Sequence, residues 1–203
     1  MLNWNIESEF DAEGSLVICG TDEAGRGPLA GPVCAAAVIL PRGIQLEGLN
    51  DSKKLTAKKR DALYDTILET ACSYGIAMAS EAEIDEMNIL QASLLAMRRA
   101  IAKLSPAPGL VLVDGSVARG FEQRAVAIVG GDAKSPNIAA ASVLAKVTRD
   151  RLMEELDLRY PGYGFAAHKG YPTKQHYIAL NRLGPSPVHR KTFLKKMHTY
   201  PEG

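Results

Sequence analysis

Two kinds of hydrophobic pattern alternate along this chain. Short, mainly apolar runs occur at residues 15–21 (SLVICGT), 33–40 (VCAAAVIL), 75–80 (GIAMAS), 110–113 (LVLV) and 125–129 (AVAIV). All five read as strands, and the unbroken apolarity of 33–40 and 110–113 predicts that those two are buried. Between them, apolar residues recur every three to four positions, as on one face of a helix. Residues 56–72 form one such segment, with Thr56 as its cap and Leu63, Ile67, Leu68 and Ala71 on one side. Ser80 and Glu83 have the spacing of a capping box. From Asn88 to Leu104, positions Leu90, Leu94, Met97, Ile101 and Leu104 keep helical spacing until Pro106 and Pro108 break it. Ser135-Pro136 predicts the start of a long helix, with Ser as cap and Pro in the first turn, running to about Tyr160. Thr173 caps a further helix that stops near Gly184, and a last basic helix is expected after Pro187. This order predicts an α/β domain with a mixed sheet. Residues 1–14 read as an acidic lead-in, 15–160 as the core and 161–203 as a basic helical extension, all within a single domain.

Composition narrows the classes. The chain has 203 residues, 46% apolar and 23% charged, which excludes intrinsic disorder as its main state. A single domain of this size can bury roughly 70% of its unfolded surface. The longest charge-free stretch, Gly27 to Pro41, is too short to span a bilayer and holds three prolines. The N-terminus shows no basic-then-apolar signal peptide, and the three cysteines show no C-x-x-C spacing. A cytoplasmic, monomeric protein with no membrane contact is expected, with Cys19 and Cys34 as small core residues. The net charge of +1 hides an asymmetry. Residues 1–23 carry six acids and no Lys or Arg, whereas residues 168–203 carry seven bases and one acid. A second basic cluster is Lys53, Lys54, Lys58, Lys59 and Arg60. These patches are either phosphate contacts or solvated helix faces.

Three apolar strands run into acids: Asp22 with Glu23, Asp114, and Asp132. In α/β sheets, ligands bind beyond the carboxyl ends of parallel strands. Carboxylates gathered there repel; at an effective dielectric of ~20 and ~4 Å, each like-charge pair costs about 4 kcal/mol. A hard-oxygen set of this kind points to Mg²⁺ or Mn²⁺, and two such ions serve phosphoryl transfer. The plainer alternative is that each Asp-Gly is only a turn. Asp22 and Glu23 are adjacent, so on a regular strand they face opposite sides. They share a site only if the strand ends or bulges there; otherwise Glu23 contributes its carbonyl. Gly25-Arg26-Gly27 allows close backbone approach to a ligand, with Arg26 able to fork onto a phosphate. Lys134-Ser135 stands at a helix start, where free N–H groups favour anions. Tyr171, flanked by bases, is either a packing residue or a stacking platform for a sugar or base.

The residues then spell a family. Gly20-Thr21-Asp22-Glu23-Ala24-Gly25-Arg26-Gly27-Pro28-Leu29-Ala30-Gly31-Pro32-Val33 resembles the opening motif of bacterial ribonuclease HII. Asn50-Asp51-Ser52-Lys53-Lys54-Leu55, Val113-Asp114-Gly115, and Gly131-Asp132-Ala133-Lys134-Ser135 resemble later segments of the same family, as do the helix 140–150, His168-Lys169-Gly170-Tyr171-Pro172-Thr173 and His189-Arg190. The likeness spans roughly residues 15–195. It implies a ribonuclease-H-like fold, a mixed five-stranded sheet flanked by helices, with a helical C-terminal extension. It further implies a metal-dependent endonuclease that cleaves RNA hybridised to DNA and cuts 5′ to single ribonucleotides in duplex DNA, leaving 5′-phosphate ends. By the same resemblance, Asp22, Glu23, Asp114 and Asp132 are the catalytic acids and hold two Mn²⁺ or Mg²⁺ ions. Gly25, Arg26 and Gly27 would sense the ribose 2′-hydroxyl and adjacent phosphate, and Tyr171 would pack on the following deoxyribose. Arg26 and Tyr171 separate the chain from the sister family, ribonuclease HIII. Lys53, Lys54, Lys134 and Ser135 are expected to contact the substrate backbone. Two alternatives stay open: another two-metal nuclease of the same fold, and a non-catalytic hybrid-binding module.

Overall fold

The computed structural model describes residues 2–49 and 55–199. In chain order the elements are α1 (Asn5–Phe10), β1 (Ile18–Ala24), β2 (Val33–Ile39), α2 (Ala57–Thr70), β3 (Ser73–Ala79), α3 (Glu81–Met87), α4 (Ile89–Ile101), β4 (Leu110–Asp114), β5 (Arg124–Ile128), a 3-10 turn (Gly131–Ala133), α5 (Pro136–Arg159), α6 (Phe165–His168), α7 (Lys174–Leu183) and a C-terminal 3-10 helix (Lys191–Thr199). The strands make one sheet in the order β3-β2-β1-β4-β5. The pairs β3–β2 and β2–β1 are antiparallel, and β1–β4 and β4–β5 are parallel. The mixed five-stranded α/β sheet expected from the sequence is therefore present, with all five apolar runs in it.

Both faces of the inner strands are covered, which explains the unbroken apolar runs of β2 and β4, whereas the edge strands β3 and β5 are mostly half-buried. On β2, Ala35, Ala37 and Ile39 pack with Ala92, Ala96, Met97 and Ala100 of α4. The alternate residues Ala36 and Val38 pack with Ala139, Ala140, Val143 and Leu144 of α5. Small residues let both helices lie close. Gly20 is the extreme case, since a Cβ there would stand 2.2 Å from the backbone nitrogen of Ile138. The first turn of α5 thus rests directly on β1.

Several boundaries differ from the sequence expectations. β1 starts and ends three residues later than the run 15–21, because its ladder continues through Asp22 and Glu23 to the Ala24–Cys34 pair. The segment 88–104 begins with a break at Asn88, whose φ of 72° separates α3 from α4. Its side chain caps α4 by accepting from the N–H groups of Leu90 and Gln91. The last segment is a 3-10 helix rather than an α-helix. Glu7 in the acidic lead-in is buried, accepting from Ser135 Oγ at 2.6 Å and Asn137 Nδ2 at 3.1 Å. None of the described helices is long and apolar enough to cross a membrane.

Candidate active site

The register of the sheet brings the acids together. β1 and β4 run parallel and pair up to Thr21–Val113, so the next residues, Asp22 and Asp114, emerge side by side at the strands' carboxyl ends. A cleft of about 390 Å³ opens there, lined by Asp22, Glu23, Gly25, Arg26, Gly27 and Asp114, with Arg60, Ser142, Lys146, Arg149 and Tyr171 among its other walls. The strand neither ends nor bulges at Asp22-Glu23, yet both residues line this cleft. Both lie past the last β1–β4 pair, where no neighbouring strand closes off that edge.

Electrostatics sets these acids apart. Burial pushes the Asp22 carboxyl well above the ordinary range, and the charges of Glu23 and Asp114 push it further. Ser142 partly offsets this by a hydrogen bond. Glu23 is also raised, chiefly by burial, against the opposing pull of Arg26, whose Nη1 lies 3.2 Å from Glu23 Oε1. Asp22 Oδ1 accepts from the Glu23 N–H at 2.7 Å, and Asp114 Oδ1 from the Gly131 N–H at 2.6 Å.

The expectation that all four acids converge is met in part. Asp22, Glu23 and Asp114 share the cleft, but Asp132 is not among the residues that line it. Asp132 stands half-buried on the 3-10 turn, next to Gly131, whose N–H holds Asp114. Among the described residues, no three His, Cys, Asp or Glu side chains are grouped closely enough to hold a metal ion. Each of the three carboxylates in the cleft is instead engaged by a protein donor. In chemistry the set still fits a hard divalent cation: oxygen ligands at one cleft, with Asp22 buried and raised by the charges of Glu23 and Asp114.

The glycine loop and Tyr171 are also in the cleft. Gly25 has φ +100°, and a Cβ there would collide with the Arg149 guanidinium, so only glycine fits. A Cβ on Gly27 would lie 3.4 Å from the Tyr171 ring, which places the two together. Arg26 and Tyr171 are exposed. Lys134 and Ser135 do not reach the cleft. Lys134 Nζ donates to the Val129 carbonyl at 2.6 Å. Ser135 is fully buried, capping α5 through the Ile138 N–H and bonded to Glu7, so the substrate contact expected of it has no open face. Lys53 and Lys54 lie outside the described residues.

Two buried arginines, which the sequence alone does not mark as site residues, shape the cleft's loop. Arg149 is 1% exposed and donates to the carbonyls of Pro32, Ala30 and Lys169, each at 3.0 Å. Arg190 is 0% exposed and donates to Gly31, Arg26 and Gly25 carbonyls at 2.9, 3.0 and 2.6 Å. Together they replace the backbone partners that an irregular Gly25–Pro32 loop lacks. Arg190 is one of the seven bases of residues 168–203, but its burial removes it from any basic surface. Charge alone could not show this, because buried and solvated arginines read alike in a sequence.

Residues 19–198 match the family model described as Ribonuclease HII. The chain belongs to the ribonuclease HII family. It is accordingly a hydrolytic, divalent-metal-dependent ribonuclease H. A ribonuclease HII from Lachnoclostridium phytofermentans is 57% identical over 180 residues, covering 89% of this chain and 71% of the relative. The fold is similar to that of ribonuclease H2 from Pyrococcus horikoshii OT3, with TM-score 0.72, 27% identity, and coverage of 90% of this chain and 99% of that one. It also resembles Bst-RNase HIII in complex with Mn²⁺, with TM-score 0.65, 22% identity, and coverage of 84% of this chain and 64% of that one.

Proposed function

We propose that this enzyme hydrolyses the RNA strand of RNA/DNA hybrids and cuts 5′ to single ribonucleotides embedded in duplex DNA, with two divalent ions in the reaction. The carrying observation is one cleft that combines the acids Asp22, Glu23 and Asp114 with the Gly25–Gly27 backbone and Tyr171. Asp22, Glu23, Asp114 and Asp132 would hold Mn²⁺ or Mg²⁺. When bound, the ions supply an activated water and charge stabilisation at the departing 3′ oxygen. The related ribonuclease HIII that holds Mn²⁺ supports this choice of metal.

The chain's own residues account for recognition. The ribose 2′-hydroxyl both donates and accepts, and the side-chain-free backbone at Gly25 and Gly27 lets it come close. Arg26, exposed at the cleft edge, can pair with a phosphate once it leaves Glu23. Tyr171 offers an exposed ring beside Gly27 for the deoxyribose that follows the ribonucleotide. Because Arg190 holds the Gly25 and Arg26 carbonyls and Arg149 those of Ala30 and Pro32, recognition requires little ordering of this loop on binding.

The test is a labelled DNA duplex with one embedded ribonucleotide, incubated with Mg²⁺, Mn²⁺ or chelator, with the cut mapped. Cleavage 5′ to the ribonucleotide, lost with chelator and in Asp22→Asn while binding persists, is expected. Cleavage of all-DNA duplexes would favour another nuclease of this fold. Metal-independent binding without cleavage would leave only a binding module.

A further inference from the structure

Behind Tyr171 lies a cluster of three buried histidines that the proposed chemistry does not use. His168, His176 and His189 are 9%, 0% and 3% exposed. They sit against Phe165, with His168 and His176 stacked at 4.3 Å between ring centres. Burying imidazoles in an apolar cluster is unfavourable unless every polar atom is paired, and here both ring nitrogens of each are.

The partners fix the proton positions. The Ser186 N–H donates to His189 Nδ1 at 2.9 Å, so His189 carries its proton on Nε2. That group faces His176 Nε2 at 3.0 Å. His176 therefore accepts there and donates from Nδ1 to the Tyr171 carbonyl at 2.9 Å. His168 accepts from the Gly170 N–H at Nδ1 and donates from Nε2 to the Tyr163 carbonyl. The result is a one-way chain, Ser186 to His189 to His176 to Tyr171, composed of neutral rings.

The second member of this hydrogen-bonded chain sits next to the residue that fixes the glycine loop. His189 adjoins Arg190, whose guanidinium holds the Gly25, Arg26 and Gly31 carbonyls. Backbone bonds tie the same strip together: Leu29 N–H to Gly170 O, Gly31 N–H to Val188 O, and Arg190 N–H to Leu29 O. One dipeptide thus grips both the loop and, through His176, the tyrosine that packs beside Gly27.

We infer that His176 and His189 are positioning residues, whose hydrogen-bonded chain fixes Tyr171 over Gly27 and so sets the enzyme's preference for a ribonucleotide followed by DNA. The inference rests on the role proposed for Tyr171 above. It makes these histidines more than packing: an apolar residue of similar size would fill the space but leave the Tyr171 carbonyl without its side-chain donor.

The experiment compares kcat/KM on a single-ribonucleotide duplex and on a continuous RNA/DNA hybrid for His176→Leu and His176→Asn, each with and without Tyr171→Ala. Asn can place an amide N–H where Nδ1–H stood. His176→Leu is expected to lower the single-ribonucleotide value about tenfold, the scale of one lost buried hydrogen bond. It should affect the hybrid less, and His176→Asn should restore most of the loss. In the Tyr171→Ala background, His176→Leu should add nothing further. If Tyr171→Ala lowers selectivity but the His176→Leu loss is absent, or is unchanged without the tyrosine ring, the positioning role is overturned while the role of Tyr171 stands. If Tyr171→Ala leaves selectivity intact, the role of Tyr171 itself falls, and this inference with it. Should His176→Leu not fold, long-range proton–nitrogen NMR of the wild-type imidazoles decides the matter. Protons on His176 Nδ1 and His189 Nε2 at neutral pH are expected; the opposite tautomers would overturn the chain.

Discussion

Gly20 and Gly25 belong to the same motif but meet different demands. At Gly20 the neighbours of an added Cβ are backbone atoms, Ile138 N at 2.2 Å and Asn137 C at 2.3 Å, and these cannot rotate away. Gly20→Ala should force α5 off β1 at a loss of about 2–3 kcal/mol. Thermal unfolding should show a Tm lower by roughly 5–10 °C, and an unchanged Tm would refute direct helix-on-strand packing there. At Gly25 the obstacle is the Arg149 side chain together with a positive φ, so that glycine serves the loop rather than the core. The sequence reveals that glycines are needed here, but not which of these reasons applies, since the Asn137–Ile138 backbone lies more than a hundred positions away. Ser135 is a similar case. The Ser-Pro pair correctly marked a helix start, but its burial against Glu7 depends on the lead-in, whose role no local pattern discloses.

Among the elements, the inner strands were the most legible, because α4 and α5 cover both faces of β2 and leave no polar face to interrupt its apolar run. Their ends were less so: β1 runs through Asp22 and Glu23, two acids that no strand pattern would include. The four-residue α6 is too short to show periodicity, and α1 packs through two apolar residues, Ile6 and Phe10, and the buried Glu7. His176 on α7 and His189 in the segment before the last 3-10 helix make stability depend on pH. Burial lowers His176 and His189 to about 4 from an ordinary 6.5, and each also feels another histidine of the cluster. Between those values the unfolded chain binds protons that the folded one refuses, so stability rises with pH there. The contribution is full above pH 6.5 and is lost as pH falls toward about 4. Urea midpoints should drop from pH 7 to pH 5, and drop less in His176→Asn combined with His189→Gln. Equal drops in both proteins would show that these rings do not carry the effect.

For the whole molecule, function follows from topology: two parallel strands side by side deliver Asp22 and Asp114 to one rim, and the C-terminal strip locks the glycine loop and Tyr171 beside them. On the proposed function, the basic segments serve as long-range attraction for a nucleic acid backbone. Lys53, Lys54 and Lys134 changed together to Gln should weaken hybrid binding and flatten its dependence on log salt by about 2–3. An unchanged slope would make them solvated surface only. Arg190 lies outside that set, because it is consumed inside the fold. The acids themselves are tested most directly by calorimetric titration of the wild-type enzyme with Mn²⁺, beside a variant carrying Asp22→Asn and Asp114→Asn. Saturable binding in the wild type that disappears in the variant is the expected result. Equal Mn²⁺ binding by the two proteins, or none by either, would contradict a metal-holding role for this cleft.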